Sequence, residues 1–272
     1  MGQLHRRTGG AVVTAAAVGL MAVATGCSGS GAAADERPGA EDSVDAVRGS
    51  ADSLVRAGSS KARTSMEMAS GGTRVTIRGQ GSYDFERQLG RFVVVLPKDP
   101  AGTEEHRPIT ELMAGGALYM KNRGAGVPAD KWVRIDTASL SDGNLVTGGA
   151  TDPLAAAELL RGVSKATYVG ETEVAGVKVR HFRGSADLPR AARSASQGQR
   201  EALGAAAKGF SKGGVPFDAY LDDQGRLRKL RQEFSVSNAE VASTTLLYDF
   251  GVKVDVRLPA SEDIFAGKIA EQ

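Results

Sequence analysis

Hydrophobic and polar residues change their spacing along this chain, and the spacing predicts most of its elements. Between Asp42 and Ala57 the apolar residues recur at helical intervals, so this stretch is predicted to form a helix that ends at Gly58. From Arg63 onward apolar and polar residues alternate, which is typical of half-buried antiparallel strands joined by hairpins. The predicted strands are Arg63–Ser70, Val75–Arg78, Ser82–Phe85, Phe92–Leu96, Ala117–Lys121, Lys131–Asp136, Ala166–Glu173, Val177–Ala186, Val215–Asp222, Arg226–Val236 and Val241–Phe250, whereas the pattern at Thr110–Met113 is ambiguous.

Helical spacing returns twice among the strands. Asp152 followed by Pro153 is a helix start, after a polar, glycine-bearing loop over Ser139–Ala150. The segment Pro189–Phe210 is also predicted to be helical, with an apolar side made mostly of alanine and an interruption at Gly198. Because such a helix buries little area, it is predicted to be a mobile cover. Many strands, few helices and no β–α–β alternation predict an antiparallel α+β domain over residues 42–272.

The N-terminal residues have the pattern of an export signal. Arg6 and Arg7 precede an uncharged run that is rich in alanine and valine, and small residues come before Cys27. Residues 1–26 are therefore predicted to be a signal peptide, with Cys27 as a lipidated first residue. A free or buried thiol is the alternative for this single cysteine. Residues 27–41, which are small and polar, are expected to form a flexible tether.

Charge and composition exclude several classes of function. The signal contains two of the 34 basic residues and none of the 32 acidic ones, so the chain from Cys27 onward is balanced in charge. It has no positive field of the kind that holds nucleic acid. No later run is apolar enough to span a bilayer, so attachment to the cell membrane is expected through lipid on Cys27. Arg6-Arg7 leaves a twin-arginine route open, although general secretion fits the following residues better.

Residues with catalytic potential are few. His181 shares a face of its predicted strand with Val177 and Val179, and a lone histidine on an apolar face is usually a hydrogen-bonded structural residue. With His106 as the only other histidine after the signal, a histidine-rich metal site is excluded, and a Ser-His-Asp triad rests on His181. No phosphate-binding or nucleophile-elbow motif is present, and Asp222–Gly225 has the composition of a β-turn. We expect no enzymatic activity, no cofactor and no bound metal.

Several local patterns occur in one order. They are the signal with its cysteine, the first helix, the strand with Met66 and Met68, the hairpin Val169–Phe182, the segment Val215–Leu230 and Leu247–Gly251. Together they resemble the actinobacterial lipoproteins of the LppX/LprA/LprF/LprG type, which have the LolA-like fold. The resemblance implies a curved antiparallel sheet, a half-barrel, with helices that cover its concave face. It also implies an apolar cavity between sheet and helices for a lipid, a glycolipid or an acylated protein.

The candidate cavity wall consists of apolar strand residues, although such a stripe is more often an ordinary core than a ligand wall. Flexible methionines suit exchangeable contents, and an alanine-rich cover fills space poorly. The predicted wall residues are Met66, Met68, Val75, Ile77, Tyr83, Phe85, Phe92, Val94, Leu118, Met120, Phe217, Phe234, Leu246 and Tyr248. The expected function is a monomeric, lipid-anchored envelope protein, outside the cytoplasm, that carries or presents an apolar ligand. The alternative is a regulatory module that binds a membrane signalling protein.

Overall fold

In the computed structural model, the described residues are 39–70, 73–97, 107–124, 126–210, 212–236 and 239–266. The predicted signal peptide, Cys27, nearly all of the predicted tether and His106 lie outside the described residues. No helix among the described residues is long and apolar enough to cross a membrane.

Antiparallel strands make up most of the described chain. They form one sheet of 11 strands in the order β6-β5-β4-β3-β2-β1-β11-β10-β9-β8-β7, so β6 and β7 are its edges. The strands are β1 (Ser59–Ser70), β2 (Thr73–Asp84), β3 (Leu89–Val95), β4 (Ile109–Ala114), β5 (Ala117–Lys121), β6 (Trp132–Asp136), β7 (Val163–Val174), β8 (Val177–Asp187), β9 (Gly214–Leu221), β10 (Leu227–Val236) and β11 (Ala239–Tyr248). Two predicted strands merge into β2, and β4 forms where the sequence was ambiguous.

The predicted first helix is divided in two. Helix α1 (Ala40–Arg48) and helix α2 (Ser50–Ala57) meet at Gly49, and the chain turns out of α2 at Gly58 with a φ of 77°. A left-handed conformation of this kind is the usual reason for glycine at a helix end.

Three further helices follow β6. Helix α3 (Pro153–Leu159) is capped by Asp152, helix α4 (Leu188–Ser194) is capped by Asp187, and helix α5 (Gln197–Gly209) comes after a break at residues 195–196. The predicted helix over Pro189–Phe210 is thus two helices. Gly198 lies in the first turn of α5 rather than at the interruption, which falls between Ser194 and Gln197.

The helices all lie on one face of the sheet, which we call the covered face; the opposite side is the open face. Helix α1 contacts β7, whereas α5 contacts the 3-10 turn Thr137–Ser139 that follows β6. A flat sheet of 11 strands would be about 50 Å wide, which is more than these short helices could span. Since they nevertheless contact elements at both edges, the sheet curves around them. The predicted α+β class, with a curved antiparallel sheet and helices on its concave face, is confirmed.

Candidate functional site: the covered face

The covered face is built from rows of residues that the strand register places side by side. One row runs Leu247, Ala62, Gly81, Phe92 across β11, β1, β2 and β3, and continues through Glu111, Met120 and Val133. Every side chain in this row except that of Glu111 is apolar or absent. A carboxyl group in the middle of an apolar row is the most unusual chemical feature of this face.

Most of the predicted wall residues come together on the covered face. Those that are buried in the shared core are Met66, Tyr83, Phe85, Phe92, Val94, Leu118, Met120, Phe217 and Phe234. Met68 and Ile77 are partly buried and pack against that core, and Val75 is half-buried. Together with apolar side chains of the helices they form one contiguous buried cluster, so the helices and loops shield this face from solvent.

Leu246 and Tyr248 are placed differently from the prediction and belong to the open face. In β11 the buried positions are Val241, Ser243, Thr245 and Leu247. Because Leu246, Leu247 and Tyr248 are all large and apolar or aromatic, the sequence does not show which of them point toward the interior. Pairing of Leu247 with Ala62, which is buried, decides it.

The centre of the cover is an irregular segment rather than a helix. Residues 140–152, which we call the cover segment, were predicted to be mostly a polar loop, yet Leu145 and Ala150 are completely buried. A Cβ built on Gly79 of β2 would lie 3.1 Å from the Cβ of Ala150, and one built on Gly149 would lie 3.1 Å from Cγ1 of Val94. The cover segment therefore rests directly on β2 and β3, and it is part of the interior.

Asp142 organises the cover segment from within. Its Oδ1 accepts a hydrogen bond from the backbone N–H of Asn144 (3.1 Å), and its Oδ2 accepts from those of Val146 (2.8 Å) and Thr147 (2.6 Å). Asp142 is buried, with 6% of its surface exposed. One carboxylate thus replaces the backbone pairing that an irregular buried segment lacks.

Glu111 lies beneath the cover segment and is completely buried. Its Oε2 accepts a hydrogen bond from the backbone N–H of Ala150 at 3.3 Å, whereas Oε1 has no partner among the described residues. Burial raises the pKa of Glu111 to about 8, and the Ala150 N–H and the positive charge of Arg123 only partly oppose that rise. At neutral pH this side chain is therefore mainly an uncharged carboxylic acid.

A second polar contact joins the sheet to two helices. Asp152 caps α3 by accepting from the N–H groups of Leu154 (2.8 Å) and Ala155 (3.1 Å), and it accepts from the hydroxyl of Tyr83 at 3.1 Å. Gln199 of α5 also hydrogen-bonds to Asp152. Burial raises the pKa of Asp152, and these hydrogen bonds oppose the rise. Burial also raises the pKa of Tyr83, so its hydroxyl stays protonated as a donor.

An ion-pair network holds the helices to one another. Glu158 of α3 is 1% exposed and accepts from Arg161 Nε (2.7 Å) and from the backbone N–H of Ser196 before α5 (3.0 Å). Arg161 also donates to Asp52 of α2 at 2.6 Å, and these hydrogen bonds hold the pKa of Asp52 below its usual value. The start of α5 is therefore fixed, and the cover segment is the less regular part of the cover.

His181 lies on the open face in a structural arrangement. Its Nε2 is 2.6 Å from Oδ1 of Asp218, which also accepts from Arg183 Nε at 2.9 Å. Its ring stacks on Tyr220 with centroids 4.3 Å apart. The hydrogen-bonded role expected for this histidine is observed. Among the described residues, no group of His, Cys, Asp and Glu side chains is arranged to hold a metal ion.

Sequence reasoning missed Glu111, Asp142 and Asn144 as components of the site. Glu111 lies in the short strand that the sequence left ambiguous, and Asp142 and Asn144 lie in a segment whose polarity indicated an exposed loop. The available signal was the alternation around Glu111, which places it on the same strand face as Ile109 and Met113.

Comparisons with known proteins give structural similarities only. No family model matches the chain, and no curated protein matches it in sequence. The chain is similar to LprF from Mycobacterium bovis, at 14% identity over 83% of this chain and 100% of that one, with a TM-score of 0.45. It is also similar to Mycobacterium tuberculosis lipoprotein LppX, at 12% identity over 79% and 97% of the two chains, with a TM-score of 0.46.

A third similar structure is the complex of Pseudomonas aeruginosa MucA and MucB, at 14% identity over 84% of this chain and 63% of that one, with a TM-score of 0.35. LprF and LppX are among the lipoproteins that the sequence motifs resemble. At these identities and TM-scores, the similarities identify neither a ligand nor a partner for this chain.

Proposed function

We propose that this protein is a lipid-anchored envelope protein that binds an apolar ligand on the covered face of its sheet and carries or presents it. The ligand is a lipid, a glycolipid or an acylated protein. Because the covered face is buried beneath the cover segment, binding requires the cover segment to move away from β2, β3 and β4.

Unpartnered polar atoms in and beneath the cover segment support this proposal. Oγ1 of Thr64, Oε1 of Glu111 and Oδ1 of Asn144 are buried and have no hydrogen-bond partner among the described residues. A Cβ built on Gly79 would lie 2.5 Å from Thr64 Oγ1 and 3.1 Å from Ala150, and one built on Gly149 would lie 3.3 Å from Glu111 Oε1. The first two atoms therefore lie close to residues 149 and 150.

Unpartnered polar atoms make the closed state less stable than a fully paired core. Each buried, unpaired group costs about 1–3 kcal/mol. A ligand with hydroxyl, ester or amide groups next to an acyl chain supplies both the missing partners and apolar surface. These costs lower the free energy needed to open the cover segment, and a bound ligand would remove them.

The anchor is part of the same proposal. Lipid on Cys27 would attach the chain to the outer side of the cell membrane, and the residues up to Gly39 would connect the lipid to α1. Placed in this way, the covered face stays within reach of the membrane from which an apolar ligand is taken. Replacement of Cys27 by serine is expected to release the protein from the membrane fraction or to leave the uncleaved precursor.

The experiment that tests ligand binding uses the full chain with Cys27→Ser, which cannot carry its own lipid. The protein is purified without detergent from its native host and analysed by native mass spectrometry, followed by extraction and identification of any bound molecule. We expect a defined mass above that of the polypeptide and an acyl-containing extract. A polypeptide without added mass, which also fails to bind the host's extracted lipids, would contradict the proposal.

A second candidate function is favoured by the close packing of the covered face. Large side chains such as Tyr83, Phe85 and Phe92 are less than 2% exposed, as in a core that holds nothing else. A regulatory module that binds a membrane signalling protein needs no internal space. Co-purification of one membrane protein in stoichiometric amount, with no bound lipid, would support this function over carriage.

A further inference from the structure

A large cleft lies on the open face, opposite the helices. It has a volume of about 760 Å³ and extends over β3, β2, β1 and β11. This volume falls within the range of about 300–1,000 Å³ that is typical of small-molecule sites. None of the residues that form the buried cluster under the cover segment, apart from Thr64, lines this cleft.

Two neighbouring rows of side chains form the floor of the cleft. The strand register places Leu246, Arg63, Gln80 and Val93 in the first row. It places Thr244, Ser65, Arg78 and Val95 in the second row. Each row therefore combines an arginine near its centre with an apolar residue at an end, and Leu96 and Pro97 add further apolar surface beside Val95.

The charges in the cleft are not balanced. Arg63 and Arg78 line it, and none of the described residues that line it is acidic. The guanidinium of Arg63 lies over the ring of Tyr248, 5.1 Å from the centroid, and it forms no ion pair with a described carboxylate. Arg78 is exposed and forms no ion pair with the described residues. The cleft therefore favours a negatively charged group.

The apolar part of the cleft is exposed as well. Val95 is 52% exposed, which makes it one of the few large hydrophobic residues of the described chain that face solvent to this extent. Val93 and Leu246 are half-buried. An exposed apolar patch next to unpaired cations is suited to a molecule with both an apolar chain and an anionic group.

We propose that this open-face cleft binds a single-chain anionic amphiphile, with its carboxylate or phosphate between Arg63 and Arg78 and its acyl chain along Val93, Val95 and Leu246. An inorganic anion would leave the apolar floor in water, and an uncharged lipid would leave both arginines unpaired. The site is separate from the covered face, and its existence does not depend on the proposed function.

Binding is measured by isothermal titration calorimetry with the full-length Cys27→Ser protein and monomeric ligands. The probes are palmitate, palmitoyl-lysophosphatidate, uncharged monopalmitin and inorganic phosphate. We expect the two anionic amphiphiles to bind, and the uncharged lipid and phosphate to bind at least about tenfold more weakly, since a charged hydrogen bond contributes that much. The stronger of the two anionic probes identifies the preferred head group.

Variants of the cleft locate the binding. Arg63→Gln with Arg78→Gln should weaken palmitate binding about tenfold or more, and Val95→Asn should weaken it several-fold. Arg134→Gln is the matched control, because Arg134 is an exposed arginine on the open face of the sheet, in β6, and does not line the cleft. Unchanged palmitate affinity in the double variant, or equal affinity for monopalmitin, would overturn this proposal and leave the covered-face proposal intact.

Discussion

The two faces of the sheet differ in how their residues are paired, although they alternate along the same strands. On the covered face, apolar rows are packed under helices, and the polar groups within them are partly unpaired. On the open face, several charged and aromatic residues pair with one another, as His181 does with Asp218 and Tyr220, whereas Arg63 and Arg78 at the cleft form no ion pair with the described residues. Neighbouring residues such as Val94, with 0% exposure, and Val95, with 52%, thus belong to different environments.

This difference shows where each face can hold a ligand. The covered face can do so only when the cover segment moves, because its residues are buried beneath that segment. The open face has a cleft in the structure as it stands, and no segment of the described residues covers it. A ligand that must be shielded in transport belongs to the first face, and a ligand that exchanges with a surface belongs to the second.

The largest effect is expected when the buried carboxyl group of Glu111 is replaced by an amide, which cannot ionise. Below pH 4.5, the ordinary pKa of this side chain, Glu111 is protonated in both the folded and the unfolded protein. As the pH rises to about 8, the unfolded chain loses its proton and the folded chain keeps it, so the free energy of unfolding falls, by roughly 5 kcal/mol in total. Glu111→Gln should abolish this loss.

Urea denaturation of the parent protein and of Glu111→Gln between pH 4.5 and pH 9 tests this pH dependence of stability. The stability of Glu111→Gln relative to the parent protein should increase steadily with pH and become constant above about pH 8. Glu67→Gln on the open face is the control, since Glu67 is exposed, and it should leave the pH dependence unchanged. Parallel pH curves for Glu111→Gln and the parent protein would show that Glu111 is not buried in the uncharged form.

The next largest effect concerns the cover segment. Asp142→Ala removes an acceptor for three backbone N–H groups, so it should lower the free energy of unfolding by about 3 kcal/mol and loosen residues 140–152. Hydrogen exchange followed by mass spectrometry should show faster exchange there than in β11. Asp136→Ala removes a single exposed bond to Ala138 and should have a small effect. Equal exchange in both variants would mean that Asp142 does not organise the cover.

Adjacent residues of β3 provide a direct comparison of the two faces. Val94→Ala should cost about 2 kcal/mol, because it removes two methyl groups from the packed core. Val95→Ala should change the stability by less than about 0.5 kcal/mol, because its side chain is half exposed. Similar losses from both substitutions, measured by chemical denaturation, would contradict the assignment of faces.

The smallest effect distinguishes paired from unpaired hydroxyl groups on the covered face. Thr64→Val removes an unpartnered hydroxyl group and should stabilise the closed protein by about 1 kcal/mol. Thr151→Val removes the partner of Ser243, whose Oγ lies 2.7 Å from Thr151 Oγ1, and should destabilise it by a similar amount. The melting temperatures of both variants provide the measurement. A change of melting temperature in the same direction for both would show that the hydroxyl group of Thr64 is not unpaired.

The fold was more predictable from the sequence than the site was. The strong alternation of apolar and polar residues predicted the fold class and most strands, because each strand has one buried face. It failed in β11, where Leu246, Leu247 and Tyr248 are all large and only pairing with β1 decides which side chain points inward. The prediction of an exposed loop from its polar residues was wrong for the cover segment, since Asp142 accepts hydrogen bonds from backbone N–H groups inside the protein and does not face solvent.

The helices illustrate a similar limit. A glycine such as Gly198 often interrupts a helix, yet the interruption occurs at residues 195–196. There Glu158 of a different helix accepts a hydrogen bond from the backbone N–H of Ser196. A contact between elements that are far apart in sequence leaves no local signal. For the same reason, the burial of Glu111 depends on the cover segment that lies over it, and the sequence around the residue does not reveal it.

The most direct test of the central proposal is whether the covered face takes up an acyl chain. The full-length Cys27→Ser protein is labelled with a photoreactive fatty acid or a photoreactive glycolipid, and the cross-linked peptides are identified by mass spectrometry. We predict cross-links to covered-face residues such as Met66 and Met120, with faster hydrogen exchange at residues 140–152 before ligand is added than after. Cross-links confined to the open face, with exchange at residues 140–152 unchanged by ligand, would contradict it.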